Sequence, residues 1–163
     1  YDRLVGSEMC IRDSDYAIRQ LVEKYADAVC RRHKEDWAST WSEDSIWDLS
    51  SMPAVSGKDA IVDLWVNAMA GFPYVAQLIQ NGTTEVDGDV AKGRWYITEH
   101  IQTAENDDDG KPIGFFNIGV YQDRYIKQDG HWLFKERKYA VLYNDNGTGN
   151  MTGTVNSYPE LVK

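Results

Sequence analysis

The sequence predicts an α+β fold in which a strongly bent antiparallel sheet wraps around helices that precede it. Three observations support this prediction. Helical hydrophobic patterns fill the first part of the chain, runs with a period of two residues fill the second part, and turn-forming dipeptides separate those runs. This order predicts a pocket between the helices and the concave face of the sheet.

The composition is that of a single globular domain. A chain of 163 residues with 42% hydrophobic residues is long enough to bury one core. The formal charge of −9 disfavours a nucleic-acid partner, because phosphate binding needs a basic patch. The sequence holds no run of about 18 apolar residues, so no membrane partner is expected. Two cysteines without metal-ligand spacing, Cys10 and Cys30, favour a cytoplasmic location.

The two ends of the chain differ from its centre. Residues 1–14 show no clean helical or strand period and resemble translated sequencing-adapter sequence, so we expect a non-native or disordered leader. Residues 144–163 are rich in Gly, Asn, Thr and Ser and are expected to form a flexible tail. The folded domain is therefore predicted to span residues 15–143.

The first predicted helix runs from about Asp15 to Arg32. Its apolar residues recur at steps of three and four, which places them on one stripe. A short helix is predicted next, because Trp37 and Trp41 lie one turn apart. Alternating residues at 45–51 then predict a strand.

The second long helix has the clearest sequence signals. Ser56 and Asp59 match a capping box ahead of a stripe of apolar residues. Gly71 and Pro73 follow that stripe and predict the end of the helix.

Four strands are predicted after this helix. Their alternating runs lie at residues 75–80, 89–104, 114–128 and 131–144. The dipeptides between or near them are Asn81-Gly82, Asp87-Gly88, Asp109-Gly110 and Asp129-Gly130. These dipeptides favour hairpin turns, although Asn81-Gly82 fits a bulge equally well. Consecutive hairpins predict an antiparallel meander.

These stretches together resemble the SnoaL-like branch of the nuclear transport factor two-like superfamily. The resemblance rests on the order and spacing of AIRQLVEKYADAV, EDWASTWSEDSIWDL, VSGKDAIVDLW, EVDGDVAKGRWYITE and GVYQDRYIKQDGHWLFKERKY. It implies a cone-shaped barrel of bent antiparallel sheet closed by the N-terminal helices, a cystatin-like α+β roll with an internal pocket. It also implies a homodimer formed through the sheet. Members include polyketide cyclases, dehydratases, isomerases and non-catalytic binding modules, so the fold leaves the function open.

The resemblance also points to particular positions. Its dehydratase members carry a Tyr on the first helix, an Asp five residues later and a His that opens the first long strand. These positions correspond here to Tyr25, Cys30 and about Gln77. Cys and Gln do not reproduce a pair in which a carboxylate orients an imidazole. A further acid or His on the next strand corresponds to Glu99 or His100.

Alternation within GRWYITEH separates the two candidate proton acceptors. Glu99 shares a face with Trp95, whereas His100 falls on the opposite face unless a bulge reverses the order. A carboxyl group among apolar side chains suits a general acid or base. The alternative for Glu99 is an ion pair with Arg137 or Arg94 across the sheet.

Several other side chains are predicted to line the pocket. Tyr25 either packs in the core or donates its hydroxyl to a ligand carbonyl. Asn117 and Tyr121 share one face and are suited to orient a carbonyl, while Asp123 is expected to pair with Arg137. The predicted substrate-binding residues are Cys30, Trp47, Trp65, Gln77, Trp95, Asn117 and Tyr121.

No phosphate loop, nucleophile elbow or zinc pattern occurs in the sequence, and no cofactor is expected. The acidic run at 107–109 is most simply a solvated hairpin tip. The leading hypothesis is a cofactor-independent dehydratase, isomerase or cyclase acting on a small cyclic or polyketide-like molecule. Two alternatives stay open: a non-catalytic small-molecule-binding module of the same fold, and a dimeric structural partner.

Overall fold

The computed structural model describes residues 2–146 and 154–155, with the side chains of residues 8–146. The helices in these ranges are α1 (Asp2–Arg31), α2 (Lys34–Ala38) and α3 (Lys58–Ala70). The strands are β1 (Trp41–Asp48), β2 (Val55–Ser56), β3 (Tyr74–Asp87), β4 (Val90–Asn106), β5 (Pro112–Gln128), β6 (His131–Asp145) and β7 (Thr154–Val155).

The strands form one curved sheet in the order β2-β1-β6-β5-β4-β3, with β7 paired to β6. Strands β3 to β6 pair antiparallel with their sequence neighbours, which confirms the predicted meander. Strand β1 joins this meander by lying parallel to β6. The predicted α+β fold with a bent sheet is confirmed. Across the described strands, however, the sheet stays open between its edges β2 and β3 and does not close into a barrel.

The dipeptides predicted to form turns have distinct roles. Asp129 and Gly130 both adopt positive φ, at 50° and 80°, in the connection between β5 and β6. Two consecutive residues in this left-handed region are what a tight hairpin requires. Asn81-Gly82 instead lies within β3, where the register with β4 shifts between Ile79 and Gly82. The bulge is therefore the correct alternative at this position.

The predicted boundaries of the first elements were partly wrong. Helix α1 begins at Asp2, well before the predicted start at Asp15, so its backbone includes residues of the predicted leader. Trp41 opens strand β1 and does not belong to the short helix that contains Trp37. Most of the predicted tail lies outside the described residues.

The capping box predicted for α3 is also wrong. Ser56 pairs with Ile46 in the β1–β2 ladder, so it is unavailable as a cap. The N-cap is Gly57, and no side chain caps the helix there. Gly71 does end the helix, as predicted.

The core lies between α1 and the concave face of the sheet. Ile18, Val22 and Tyr25 on α1 are almost completely buried, which matches the predicted apolar stripe. Trp37 and Trp41 extend this core beneath α2 and β1. Among the described residues, no helix has the length and apolar character needed to cross a bilayer.

Candidate active site

One row of polar side chains crosses the concave face of the sheet. The strand register places Gln77 on β3 beside Glu99 on β4, then Asn117 on β5, then Asn144 on β6. Gln77, Glu99 and Asn117 are each at most 9% exposed. Buried polar groups persist in folded proteins when they bond to one another. The side chains of this row are hydrogen-bonded in pairs, Gln77 to Glu99 and Asn117 to Asn144, which lowers the free-energy cost of burying them.

Glu99 is the centre of these hydrogen bonds. Gln77 Nε2 donates to Glu99 Oε1 at 2.9 Å, and the Tyr139 hydroxyl donates to Glu99 Oε2 at 2.5 Å. Gln77 Nε2 also donates to the Tyr121 hydroxyl oxygen at 3.1 Å. We call Gln77, Glu99, Tyr121 and Tyr139 the polar quartet. Within it, the carboxylate has only neutral partners.

Gly119 gives Tyr139 the space to reach Glu99. Tyr139 pairs with Tyr121 across the β5–β6 ladder, two rows away from Glu99. A Cβ atom on Gly119, in the row between them, would lie 2.2 Å from the Tyr139 ring. The absence of a side chain at Gly119 thus lets this ring lie across β5.

The tyrosine hydroxyls of the quartet remain protonated at neutral pH. Burial raises the pKa of Tyr139, and the neighbouring charge of Glu99 raises it further. Burial also raises the pKa of Tyr121 well above its ordinary value. Both hydroxyls therefore carry their protons and are not phenolates; that of Tyr139 donates to Glu99, and the oxygen of Tyr121 accepts from Gln77.

A buried ion pair lies beside the quartet. Asp123 accepts two hydrogen bonds from Arg137, at 2.9 and 3.1 Å, which confirms the predicted pairing. The guanidinium carbon of Arg137 is 3.6 Å from the centre of the Tyr121 ring. Burial raises the pKa of Asp123, and the charge of Arg137 opposes that rise. Arg137 is committed to Asp123, and Arg94 makes no ion pair with Glu99 among the described residues. Neither ion pair that was the alternative for Glu99 is therefore formed.

Tyr25 and Cys30 occupy the two first-helix positions to which the resemblance pointed. Tyr25 is 1% exposed, and its ring contacts that of Tyr121 with centroids 5.9 Å apart. Cys30 is exposed, but its Sγ accepts from the backbone N–H of Gln77 at 3.2 Å. The structure thus brings the Cys30 and Gln77 positions together.

His100 and Asn117 lie in contrasting places. His100 is exposed on the opposite face of β4 from Glu99, where its ring is 4.9 Å from that of Phe116. Asn117 Oδ1 accepts from Asn144 Nδ2 at 2.6 Å, next to the quartet. The structure therefore places Asn117, and not His100, beside Glu99.

The three predicted tryptophans fall into two groups. Trp47 and Trp65 both pack against Trp37, with ring centroids 5.4 and 4.7 Å away. Trp95 donates to the Tyr125 hydroxyl at 2.8 Å, farther along the sheet from Glu99. All three are core residues in this structure.

Two sizeable cavities open at the other end of the sheet from the quartet. One, of about 510 Å³, is lined by Ser14, Val86, Lys127 and Trp132, among others. Another, of about 600 Å³, includes Val86 and Tyr125. Gln77 and Glu99 line neither cavity. In the part of the chain that the structure describes, no three His, Cys, Asp or Glu side chains are placed to hold a metal ion.

Tyr139 is the site residue that sequence reasoning missed. Arg137 was expected to pair with Asp123, and the alternation along the strand places Tyr139, two residues later, on the same face as Arg137. That signal places the ring on the inner face. It does not show that the ring bends over Gly119 to Glu99, because this contact depends on packing between strands.

Comparison with known families identifies the chain. Residues 12–138 match the model of the SnoaL-like domain family. This protein belongs to the SnoaL-like domain family. A sequence relative is an uncharacterized protein of Mycobacterium tuberculosis (strain ATCC 25618 / H37Rv), 28% identical over 121 residues, which cover 74% of this chain and 80% of the relative.

Solved structures share the SnoaL-like fold. A protein provisionally named scytalone dehydratase, from Novosphingobium aromaticivorans DSM 12444, superposes with a TM-score of 0.75 at 18% identity, covering 86% of this chain and 91% of its own. A type-3 hexachlorocyclohexane dehydrochlorinase from Novosphingobium barchaimii LL02 gives 0.72 at 20% identity, covering 97% and 98%. At such low identity these likenesses establish the fold alone.

Proposed function

We propose that this SnoaL-like protein is a cofactor-independent lyase or isomerase that acts on a small cyclic molecule by proton transfer. Glu99 is the proton acceptor. The observation that carries the proposal is a carboxylate buried on the concave face whose described partners, Gln77 and Tyr139, are both neutral. A carboxylate whose charge is not balanced by a cation within the protein is placed to accept a proton from a substrate.

The surroundings of the quartet suit a mainly apolar ligand. Half-buried apolar side chains lie next to the polar row on the same face of the sheet: Ile79, Ile101, Phe115 and Val141. Apolar walls with few convergent polar groups are typical of small-molecule sites. The proposed pocket opens at this rim, away from the two cavities at the other end of the sheet.

The chemistry follows from the protonation states of the quartet. Glu99 removes a proton from a ring carbon next to a carbonyl, and the C–H electrons move toward the carbonyl oxygen. The hydroxyl of Tyr121, which stays protonated, is suited to donate a hydrogen bond to the developing oxyanion, while that of Tyr139 stays bonded to Glu99. The protonated Glu99 then returns its proton to another carbon of the enolate, which completes an isomerisation. In a dehydration it instead protonates the β-hydroxyl group, which leaves as water with the electron pair of its C–O bond, while the enolate electrons form the new carbon–carbon double bond and the carbonyl is restored.

This proposal accounts for the departure from the dehydratase pattern. The positions of the usual Asp and His hold Cys30 and Gln77, and the two residues are in contact. Gln77 Nε2 in turn bonds to Glu99. We therefore place proton transfer one strand farther along, on Glu99. The two structural neighbours above are named for eliminations, a dehydration and a dehydrochlorination, which is consistent with a lyase.

A non-catalytic binding module is the second candidate. The observation that favours it is that the polar groups of the quartet already bond to one another. A ligand would then be held by the apolar rim, with no proton transferred. Homodimerisation through the sheet and a cytoplasmic location stay predictions under both candidates.

Turnover by a Glu99→Gln variant separates the two candidates. The substrates are a panel of cyclic β-hydroxy ketones and β,γ-unsaturated ketones, and the absorbance of the conjugated enone reports the product. The wild-type protein is expected to convert at least one of them, and Glu99→Gln to lower the rate by roughly a hundredfold or more. Glu105→Gln, at an exposed position of the same strand, is the control and is expected to be fully active. Equal rates for Glu99→Gln and wild type would contradict the proposal.

A further inference from the structure

The side-chain amide of Gln77 has one hydrogen-bonding atom without a partner. Its Nε2 donates to Glu99 and to Tyr121, while Oε1 is buried and accepts no hydrogen bond from the described residues. The side chain faces the concave interior, and Gln77 is 4% exposed. Because a carboxylate oxygen only accepts, the contact with Glu99 fixes which amide atom is the nitrogen. The free atom is therefore an acceptor.

A buried acceptor without a donor is unfavourable, and a ligand that supplies the donor relieves the cost. The cost of desolvation limits what that donor is. Arg137 is already balanced by Asp123, and the charged group bonded to Gln77 is the carboxylate of Glu99, so charge alone does not exclude an ammonium group. Burying an ammonium group among apolar side chains costs far more than burying a neutral donor. A neutral hydroxyl provides the proton without bringing a charge into the apolar interior.

We propose that Gln77 is a specificity-determining residue, and that the site selects small apolar rings carrying a neutral hydroxyl that donates to Gln77 Oε1. The inference rests on the proposed function, since it concerns the same site. A hydroxyl bound to Gln77 brings the adjacent ring carbons toward Glu99, because the two side chains are hydrogen-bonded to each other. Gln77 then orients the ring and Glu99 transfers the proton.

Binding of three matched probes tests the wild-type protein. Cyclohexanol carries the donor, cyclohexyl methyl ether carries only an acceptor, and fluorocyclohexane has nearly the shape of the alcohol without its proton. Dissociation constants are measured by ligand-observed NMR. We expect cyclohexanol to bind about tenfold more tightly than either analogue, since a site that needs a donor discriminates against ligands that lack one.

Two variants test whether Gln77 causes the preference for cyclohexanol over the two analogues. Gln77→Met keeps the length of the side chain and removes the amide, so the preference for cyclohexanol is expected to disappear. Gln80→Met is the matched control, because Gln80 lies on the same strand with its side chain exposed and bonded to Thr98. This variant is expected to keep the tenfold preference.

Several results would overturn the inference. They are undetectable binding of cyclohexanol, equal binding of the ether and the alcohol by wild type, tighter binding of cyclohexylamine, or an unchanged preference in Gln77→Met. If Gln77→Met does not fold, the comparison of cyclohexanol with cyclohexyl methyl ether in the wild-type protein still tests whether the site prefers a hydrogen-bond donor. The assay involves no turnover, so its outcome is independent of the Glu99→Gln rate test of the proposed function.

Discussion

Glu99 and Asp123 are both buried carboxylates on the concave face, but their partners give them different roles. Asp123 is held by two hydrogen bonds from Arg137, so its charge is balanced within the protein. Glu99 is held by the neutral donors of Gln77 and Tyr139. A carboxylate has about four acceptor positions, so Glu99 retains capacity for a ligand proton. This contrast supports proton transfer at Glu99 and a structural role for Asp123.

We predict that Asp123→Asn strongly destabilises the protein. The substitution leaves the guanidinium of Arg137 completely buried without its counter-charge. Loss of one partner from such a pair costs about 3–5 kcal/mol in the free energy of unfolding. Urea unfolding followed by circular dichroism measures this change.

The exposed pair of Glu43 and Lys58 is the control for that measurement. The side chain of Glu43 is 83% exposed, so water and salt screen its charge. Glu43→Gln is expected to leave the unfolding midpoint unchanged. If Asp123→Asn and Glu43→Gln shifted the unfolding midpoint equally, the loss of stability in Asp123→Asn would not arise from burial of its ion pair.

The orientation of single residues could be predicted only where simple alternation decides it. Alternation along β4 placed Glu99 on the face of Trp95 and His100 on the other, and the structure has the same arrangement. The partner of Glu99 could not be predicted, because Tyr139 reaches it only across Gly119. Contacts between residues two rows apart depend on the shapes of intervening side chains, which local patterns do not encode.

At the scale of the elements, the position of the Tyr139 ring across β5 depends on Gly119. We predict that Gly119→Ala destabilises the protein by about 1–3 kcal/mol, because the new methyl group would overlap the Tyr139 ring. Displacement of this ring also breaks its hydrogen bond to Glu99. Thermal unfolding and the enone assay together measure both effects.

Gly71→Ala is the matched control for this prediction. A Cβ atom there would meet its nearest neighbour, the carbonyl oxygen of Ala68, at an ordinary 3.5 Å. We expect wild-type activity and little change in the melting temperature. If Gly119→Ala behaves in the same way, Tyr139 does not need the space above Gly119.

Local signals and long-range pairing were not equally predictable at this scale. The Asp129-Gly130 dipeptide predicted its hairpin because two residues with positive φ have few sequence solutions. The parallel pairing of β1 with β6 could not be predicted, since strands so distant in sequence carry no local signal for each other. The antiparallel pairing of β1 with β2 explains the wrong capping box, because Ser56 lies in β2 and pairs there with Ile46.

At the scale of the whole molecule, buried tyrosines determine the response to alkaline pH. Burial raises the pKa of Tyr25, Tyr121, Tyr125 and Tyr139 in the folded state. In the unfolded chain these hydroxyls ionise at pH about 10. Above that pH the folded state binds more protons than the unfolded state, so the free energy of unfolding falls as pH rises. Below pH about 10, the stabilisation that these tyrosines give the folded state is fully present.

We therefore predict that these four tyrosines ionise only as the protein unfolds. Absorbance of the phenolate and circular dichroism, recorded together from neutral pH upward, are the measurements. Complete ionisation of all tyrosines with unchanged circular dichroism would contradict this assignment of burial.

Proton transfer by Glu99 requires that the concave face of this SnoaL-like protein admit a small ring beside it. A crystal structure determined with cyclohexanol shows whether it does. We expect the ring to contact the half-buried side chains of Ile79, Ile101 and Val141, with its hydroxyl within hydrogen-bonding distance of Gln77 Oε1. An interior without the ring, or a ring bound only in the cavity beside Val86 and Trp132, would contradict the claim.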